Sequence, residues 1–158
     1  MGIKTQGTAL YFVKPGSPTG TAVKLTCPTG ISGLGGAADQ IDVTCLDATE
    51  DRAYVRGLGN PGQITVPFIL KSGDASHGDI VALKESGVTV QWMACFSDGD
   101  AAPTVTVGTN NFAALTSRSN IRFDGYVADI TLDGSTNEVW RGTLIIQRSG
   151  PWSLNWKA

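Results

Sequence analysis

A single histidine, His77, stands in the chain, so any Ser/His/Asp or Cys/His site for nucleophilic catalysis would have to be built around it. It lies beside Gly78 and Asp79 at the expected start of a helix, a place that predicts an exposed side chain without a catalytic role. Asp47, Glu50 and Asp51 crowd one short segment with Arg52 and Arg56. Paired carboxylates can divide acid and base roles, but a mixed-charge run reads first as a solvated or partner-facing loop. Gly30, Gly33, Gly35 and Gly36 are grouped as in a phosphate-cradling loop, yet no P-loop lysine follows and no strand-loop-helix context surrounds them. The three cysteines, Cys27, Cys45 and Cys95, form no CxxC pair, and with one histidine they cannot complete a zinc site of ordinary spacing. They are expected to be buried thiols. Trp92, Trp140, Trp152 and Trp156 have faces suited to stacking on a sugar, but Trp92 alternates with core residues and Trp140 sits where a neighbouring subunit could cover it. No catalytic, cofactor-binding or metal-ligating residue is assigned, and the chain is expected not to be an enzyme.

The elements that carry these residues are mostly strands. β-Branched and aromatic runs separated by Gly, Pro, Asp and Asn recur along the chain, whereas helical periodicity occurs once. Thr8–Lys14 and Thr21–Cys27 flank a turn-rich loop and predict a hairpin. Gln40–Cys45 alternates, with Ile41, Val43 and Cys45 on one face, and Gln63–Lys71 does the same with Ile64, Val66, Phe68 and Leu70. Pro67 cannot donate to a ladder, which predicts an edge or a bulge there. One helix is expected over Ser76–Ser86, with a capping-box-like Ser76 and Asp79 and with Gly87 at its end. Val88–Phe96 is apolar on both faces and predicts a central strand. Asp98–Thr116 is expected to be a long surface loop in which Thr104–Val107 forms a short strand. A long hairpin follows, Ser119–Leu132 and Asn137–Arg148, turned at Asp133, Gly134 and Ser135. Its first arm changes phase between Val127 and Ile130, which predicts a bulge or a strand that leaves one sheet for another. The segment Pro151–Ala158 reads as a polar tail carrying Trp152 and Trp156.

With 158 residues, of which 41% are apolar, the chain is long enough for one domain with a real core and apolar enough to fold. Charged residues make up 16% and the net charge is -2. There is thus no basic field to grip nucleic acid, and few charges keep the surface from associating. No window is apolar enough for a membrane helix, and no N-terminal signal pattern is present.

The segment Ala38–Gly62, ADQIDVTCLDATEDRAYVRGLGNPG, decides the reading: a strand ending at Cys45 releases a polar loop closed by Gly57, Gly59, Asn60, Pro61 and Gly62. With Gly7-Thr8-Ala9-Leu10-Tyr11-Phe12 before it, and Arg122-Phe123-Asp124-Gly125-Tyr126-Val127 and Gly142-Thr143-Leu144 after it, the chain resembles the major tail tube proteins of bacteriophages with long, non-contractile tails. The resemblance covers nearly the whole chain. It implies a mainly β (α+β) fold, a β-sandwich or barrel with one flanking α-helix and a long C-terminal β-hairpin; a single domain over residues 1–158 is expected, and, with the sequence stopping at Ala158, not the additional C-terminal domain that the family often carries. It further implies a structural protein of the virion, made in the host cytoplasm, whose hexameric rings stack into a tube for viral DNA.

The partners implied are other copies of the chain, tail initiator or tip, tape measure and tail terminator proteins, and DNA that passes without specific binding; no membrane and no cofactor are implied. A mildly acidic, neutral-polar lumen would let phosphate slide rather than stick. On this reading the loop 46–62, with Asp47, Glu50, Asp51, Arg52, Tyr54 and Arg56, contacts another subunit, and Asp124, Asp129 and Glu138 are candidates for the lumen. The alternatives are a related tail-completion or injection-machine inner tube protein, which shares the geometry, and a carbohydrate-binding β-sandwich, which would need an exposed aromatic platform.

Overall fold

The computed structural model describes residues 2–158. Its elements are β1 (Ala9–Lys14), β2 (Thr21–Lys24), β3 (Ala38–Asp42), β4 (Tyr54–Gly59), β5 (Gln63–Ile69), α1 (Ala75–Ser86), β6 (Val90–Cys95), β7 (Asn120–Asp133) and β8 (Arg141–Asn155). Among the described residues, six strands form one antiparallel sheet in the order β2-β1-β6-β7-β8-β5, and β3 pairs only with β4. The sheet curls into a half-barrel. After β2 the chain swings across to the far edge, where Thr29 N–H donates to Pro67 O (2.8 Å) and Ser32 and Thr65 exchange two backbone hydrogen bonds. The fold is therefore mainly β with one helix and a barrel-like sheet, as expected.

Inside the curl, alternate side chains of every large strand meet. Leu10, Phe12, Ile64, Val66, Phe68, Trp92, Phe123, Val127, Leu144 and Ile146 make one buried cluster, which Ile80 and Leu83 of α1 join. Trp92 lies at its centre, fully buried, with Phe12 at 5.2 Å and Phe123 stacked at 6.5 Å between ring centroids. Its Nε1–H donates to Gly125 O (3.1 Å), so the one polar atom of the indole is satisfied. On the opposite face Tyr11, Val13, Met93 and Cys95 form a smaller cluster, capped by Phe112 from the loop 98–117. Both faces of β6 are thus covered, which is why its sequence is apolar on both sides. Burial pushes the Cys95 thiol up to about 11.

Several expectations need adjusting. Residues 104–107 form no strand: Val105 makes a single bridge to Phe112. Pro67 does lie on the outermost strand, its carbonyl turned to the chain segment at Thr29. The phase change in β7 is a bulge between Val127 and Asp129; one extra residue returns Ile130 to the core side that Val127 occupies. β8 runs on through Pro151 to Asn155, pairing Trp152 with Phe123 and Leu154 with Ile121. The expected polar tail is thus largely strand. The register absorbs extra β8 residues between Arg148 and Trp152, where Gly150 takes a positive φ of 86°.

Helix α1 starts one residue before its expected first residue, and its cap is Asp74, whose carboxylate accepts from Ser76 N–H (2.9 Å) and His77 N–H (3.4 Å). Hydrogen bonds from Ser76, first, and from Thr26 hold the Asp74 carboxyl down at about 2. Gly87 closes the helix in the left-handed conformation, donating to Leu83 O (3.0 Å).

Candidate assembly surfaces

His77 is buried, not exposed. Lys71 N–H donates to its Nδ1 (3.3 Å) and its Nε2–H donates to Thr26 O (3.0 Å), while the ring lies 4.8 Å from that of Phe68. Both nitrogens are used in tying α1 to the strands beside it, and no nucleophile is placed against either. Cys27 is half-buried and Cys45 is exposed, so the expectation of three buried thiols holds only for Cys95. No group of three or more His, Cys, Asp or Glu side chains among the described residues is arranged to hold a metal. No helix among them is long and apolar enough to cross a membrane. Trp140 precedes β8 and Trp156 follows it. That sets the two at opposite ends of a 15-residue strand, while Trp92 lies fully buried in the core, out of reach of a ligand.

The segment expected to be a polar loop is the far half of a β-hairpin arm: residues 46–53 form its turn, as expected, while Tyr54–Gly59 is its second strand. β3 and β4 pair Gln40 with Arg56, Ile41 with Val55 and Asp42 with Tyr54. The ladder runs on through Val43 N–H to Ala53 O (2.9 Å) and Ala53 N–H to Thr44 Oγ1 (2.9 Å). At the base, Asn60 Nδ2 donates to Asp39 (2.6 Å). Near the tip, Asp42 accepts from Thr44 N–H (2.9 Å) and lies 3.9 Å from Arg52; hydrogen bonding to the Thr44 side chain, first, and to its backbone N–H lowers the Asp42 carboxyl. Asp47, Glu50, Asp51 and Arg52 sit in the turn joining the two strands, while Tyr54 and Arg56 lie on β4.

The arm is two-faced. Because side chains alternate, Ile41, Val43, Ala53 and Val55 share one face and Gln40, Asp42, Tyr54 and Arg56 the other. A polar outside and apolar inside would be ordinary on a sheet that packs against a core. Here nothing covers the apolar face: Ile41 is 53% and Val55 52% exposed, and Leu46 at the tip is fully exposed. A lone two-stranded hairpin is at best marginally stable in water, and unburied aliphatic groups gathered on one face mark a contact surface.

The curled sheet itself ends in unpaired edges. β5 pairs with β8 from Gln63–Gln147 to Ile69–Arg141, which leaves the outer edge of β8 without a strand from Ser149 to Asn155. Half-exposed Trp152 and Leu154 lie along that edge. At the other side β2 is only four residues long. Open edges of this kind are templates for further pairing.

The three lumen candidates on the long hairpin do not share a surface. Asp124 is exposed, opposite Gln91 on the face away from the main core. Asp129 lies 3.1 Å from Lys84 of α1, whose hydrogen bond lowers its carboxyl. Glu138 is in the exposed turn between β7 and β8. Two buried arginines escaped the sequence reading: Arg118 at the end of the loop 98–117 and Arg148 in β8. Arg118, in a polar stretch, carries no periodic signal that would reveal burial, whereas Arg148 continues the alternation of Leu144 and Ile146.

Comparison with known proteins agrees with this architecture. The phage tail tube family described as lambda-like matches residues 1–158. Structural protein 3 of Pseudomonas phage PAJU2 is 36% identical over 151 residues, 94% of this chain and 90% of that protein. The fold is similar to that of the SPP1 tail tube, with a TM-score of 0.68 at 13% identity over 98% of this chain and 79% of that one. It is likewise similar to a chain in the tail of an empty gene transfer agent particle with C6 symmetry, with a TM-score of 0.61 at 15% identity over 92% and 95% of the two chains. The chain belongs to the lambda-like phage tail tube family and is a structural protein of the virion tail.

Proposed function

We propose that this tail tube protein assembles into rings of six that stack into a hollow tube, and that the β3–β4 arm makes the contact between subunits. The carrying observation is the arm's uncovered apolar face, Ile41, Val43 and Val55, on a ribbon too slight to be stable alone. Burying the exposed half of three such side chains contributes on the order of 3 kcal/mol per subunit, repeated at every contact in the tube. Asp47, Glu50, Asp51, Arg52, Tyr54 and Arg56 then lie in the contact at its rim and tip. The open edges of β2 and β8 are the places where the sheets of neighbouring subunits continue one another. A closed ring removes the exposed edges that a single subunit carries.

The tube serves as the passage for viral DNA. The subunit's net charge of -2 and low charge density suit a wall that does not hold phosphate. Asp124, Asp129 and Glu138 remain the lumen candidates; the Lys84 partner makes Asp129 the weakest of them, since its charge is already answered. The whole of residues 1–158 acts as one tube domain. Initiator or tip, tape measure and terminator proteins are the further partners of this reading.

Negative-stain electron microscopy of the concentrated protein, with its mass by light scattering, tests it. Rings or tubes with sixfold end views are expected, and Arg52→Glu/Arg56→Glu is expected to shorten or abolish them. Tubes of normal length from that variant would remove the arm from the contact.

A further inference from the structure

We propose that Arg148 is a socket for a carboxylate of a second copy of this chain, supplied by the acidic tip of that copy's β3–β4 arm. The inference rests on the arm being the contact between subunits.

Arg148 continues the inward row of β8 after Leu144 and Ile146 and is 7% exposed. Its backbone N–H donates to Gly62 O (3.3 Å), but Nε and Nη1 of the guanidinium are buried with no acceptor among the described residues. The ion pairs among those residues are Lys14–Asp79, Arg52–Asp42 and Lys84–Asp129, so Arg148 has no counter-charge. Arg118 shows the contrast: it is as deeply buried, yet its guanidinium donates to four backbone carbonyls. A buried cation without a partner works against the stability of the isolated subunit.

The guanidinium lies against the base of the arm. A Cβ built on the exposed residue Gly36 would stand 2.9 Å from Arg148 Nη2 and would also strike Asn60 O. A bare glycine at this spot leaves Nη2 beside the surface, where a carboxylate can accept a charge-assisted hydrogen bond from it while Nε and Nη1 stay covered. In a tube made of one kind of chain that carboxylate belongs to another copy. The tip offers the matching charge: Asp47, Glu50 and Asp51 are exposed, and none takes part in an ion pair. Five residues of β3 and then the turn separate the tip from Gly36, a reach of about 17 Å for the strand alone. The paired ladder holds the tip away from its own Arg148. Donor and acceptor therefore sit at opposite ends of the arm, the head-to-tail arrangement that repeats from copy to copy.

The test uses the full chain in four forms: wild type, Arg148→Met, the tip variant Asp47→Asn/Glu50→Gln/Asp51→Asn, and the two combined. Unfolding temperature is read on the unassembled subunit, and the protein concentration needed for tubes by sedimentation and microscopy. Arg148→Met is expected to unfold at the same or a higher temperature, yet to need about tenfold more protein for tubes, as loss of one charge-assisted hydrogen bond dictates. The tip variant should lose a similar factor, and the combination no more than either alone. Arg148→Lys, which keeps the charge and loses the fork, should fall between. The socket is overturned by Arg148→Met assembling as wild type, by losses that multiply in the combination, or by a lower unfolding temperature that shows the guanidinium already satisfied within the subunit. Ile41→Asp/Val55→Asp separates this from failure of the arm reading: normal assembly by that variant removes the arm itself, whereas lost assembly beside a normal Arg148→Met removes the socket alone.

Discussion

Replacing Arg118 with methionine removes a guanidinium that holds three parts of the chain together. The side chain is 4% exposed. Nε donates to Phe96 O, Nη1 to Ala101 O (3.3 Å), and Nη2 to Gly7 O (2.8 Å) and Cys95 O (3.4 Å). It thus ties the approach to β1, the end of β6 and the start of the loop 98–117. Methionine fills much of the stem's volume, so the loss is chiefly of donors. Gly7 is exposed and Ala101 half-exposed, and water can take over there. The carbonyls of Cys95 and Phe96 lie deeper, and each orphaned buried acceptor costs about 1–3 kcal/mol. Relief of the buried charge offsets part of that sum, leaving a net loss of about 3 kcal/mol. In a chain of this size that lowers the unfolding temperature by about 6–12 °C. Urea unfolding followed by the fluorescence of buried Trp92 gives the free energy directly, with Arg118→Lys as an intermediate case because one ammonium cannot span four carbonyls. A methionine variant within about 0.5 kcal/mol of wild type would refute the reasoning, since it would mean that the four carbonyls do not depend on the guanidinium.

Gly142→Ala places a methyl group against the ring of Phe68, with Cε2 at 2.8 Å; the ring is locked in the core, and a loss of about 1–3 kcal/mol in urea unfolding is expected, an unchanged midpoint being the contrary result. Asp74 is held at about 2, below its unfolded value of about 3.9. Its capping contribution is therefore present above about pH 4 and fades as the pH falls toward 2. Asp74→Asn should flatten this part of the acid limb in unfolding temperatures measured from pH 2 to 5, and parallel curves for the two proteins would contradict the assignment. In the native subunit a thiol reagent at pH 8 should modify exposed Cys45 first and Cys27 more slowly. Cys95, buried and with its thiol pushed up to about 11, should react only on unfolding; mass spectrometry of the modified peptides decides.

How far the sequence carried the fold can be read strand by strand. β5 alternates over a covered face, β6 is apolar on both faces because both are covered, and β7 alternates on either side of its bulge, so these three were legible as strands, β5 and β6 with their edge and central positions. The arm was half legible. Its length and mixed charge marked a partner-facing element, but Gly57 and Gly59 disguised β4 as loop, and the alternation of Ile41 and Val43 suggested a core strand where the face is uncovered. Pro151 and Gly150 hid the second half of β8, since a register shift lets a strand pass residues that normally end one. His77 and Arg118 depend on carbonyls distant in sequence, which no local pattern encodes.

The order of strands in the sheet also governs when each can fold during synthesis. β5 lies beside β8 and no other strand of its sheet, yet the ribosome makes it roughly 70 residues earlier. At about 5–20 residues per second, Ile64, Val66 and Phe68 wait several seconds for the strand that will hold them. β1, β2 and β6 can meanwhile pair with one another. The half-barrel closes only once β8 emerges, so the nascent chain gains its continuous sheet, and with it the open edge of β8, late in translation.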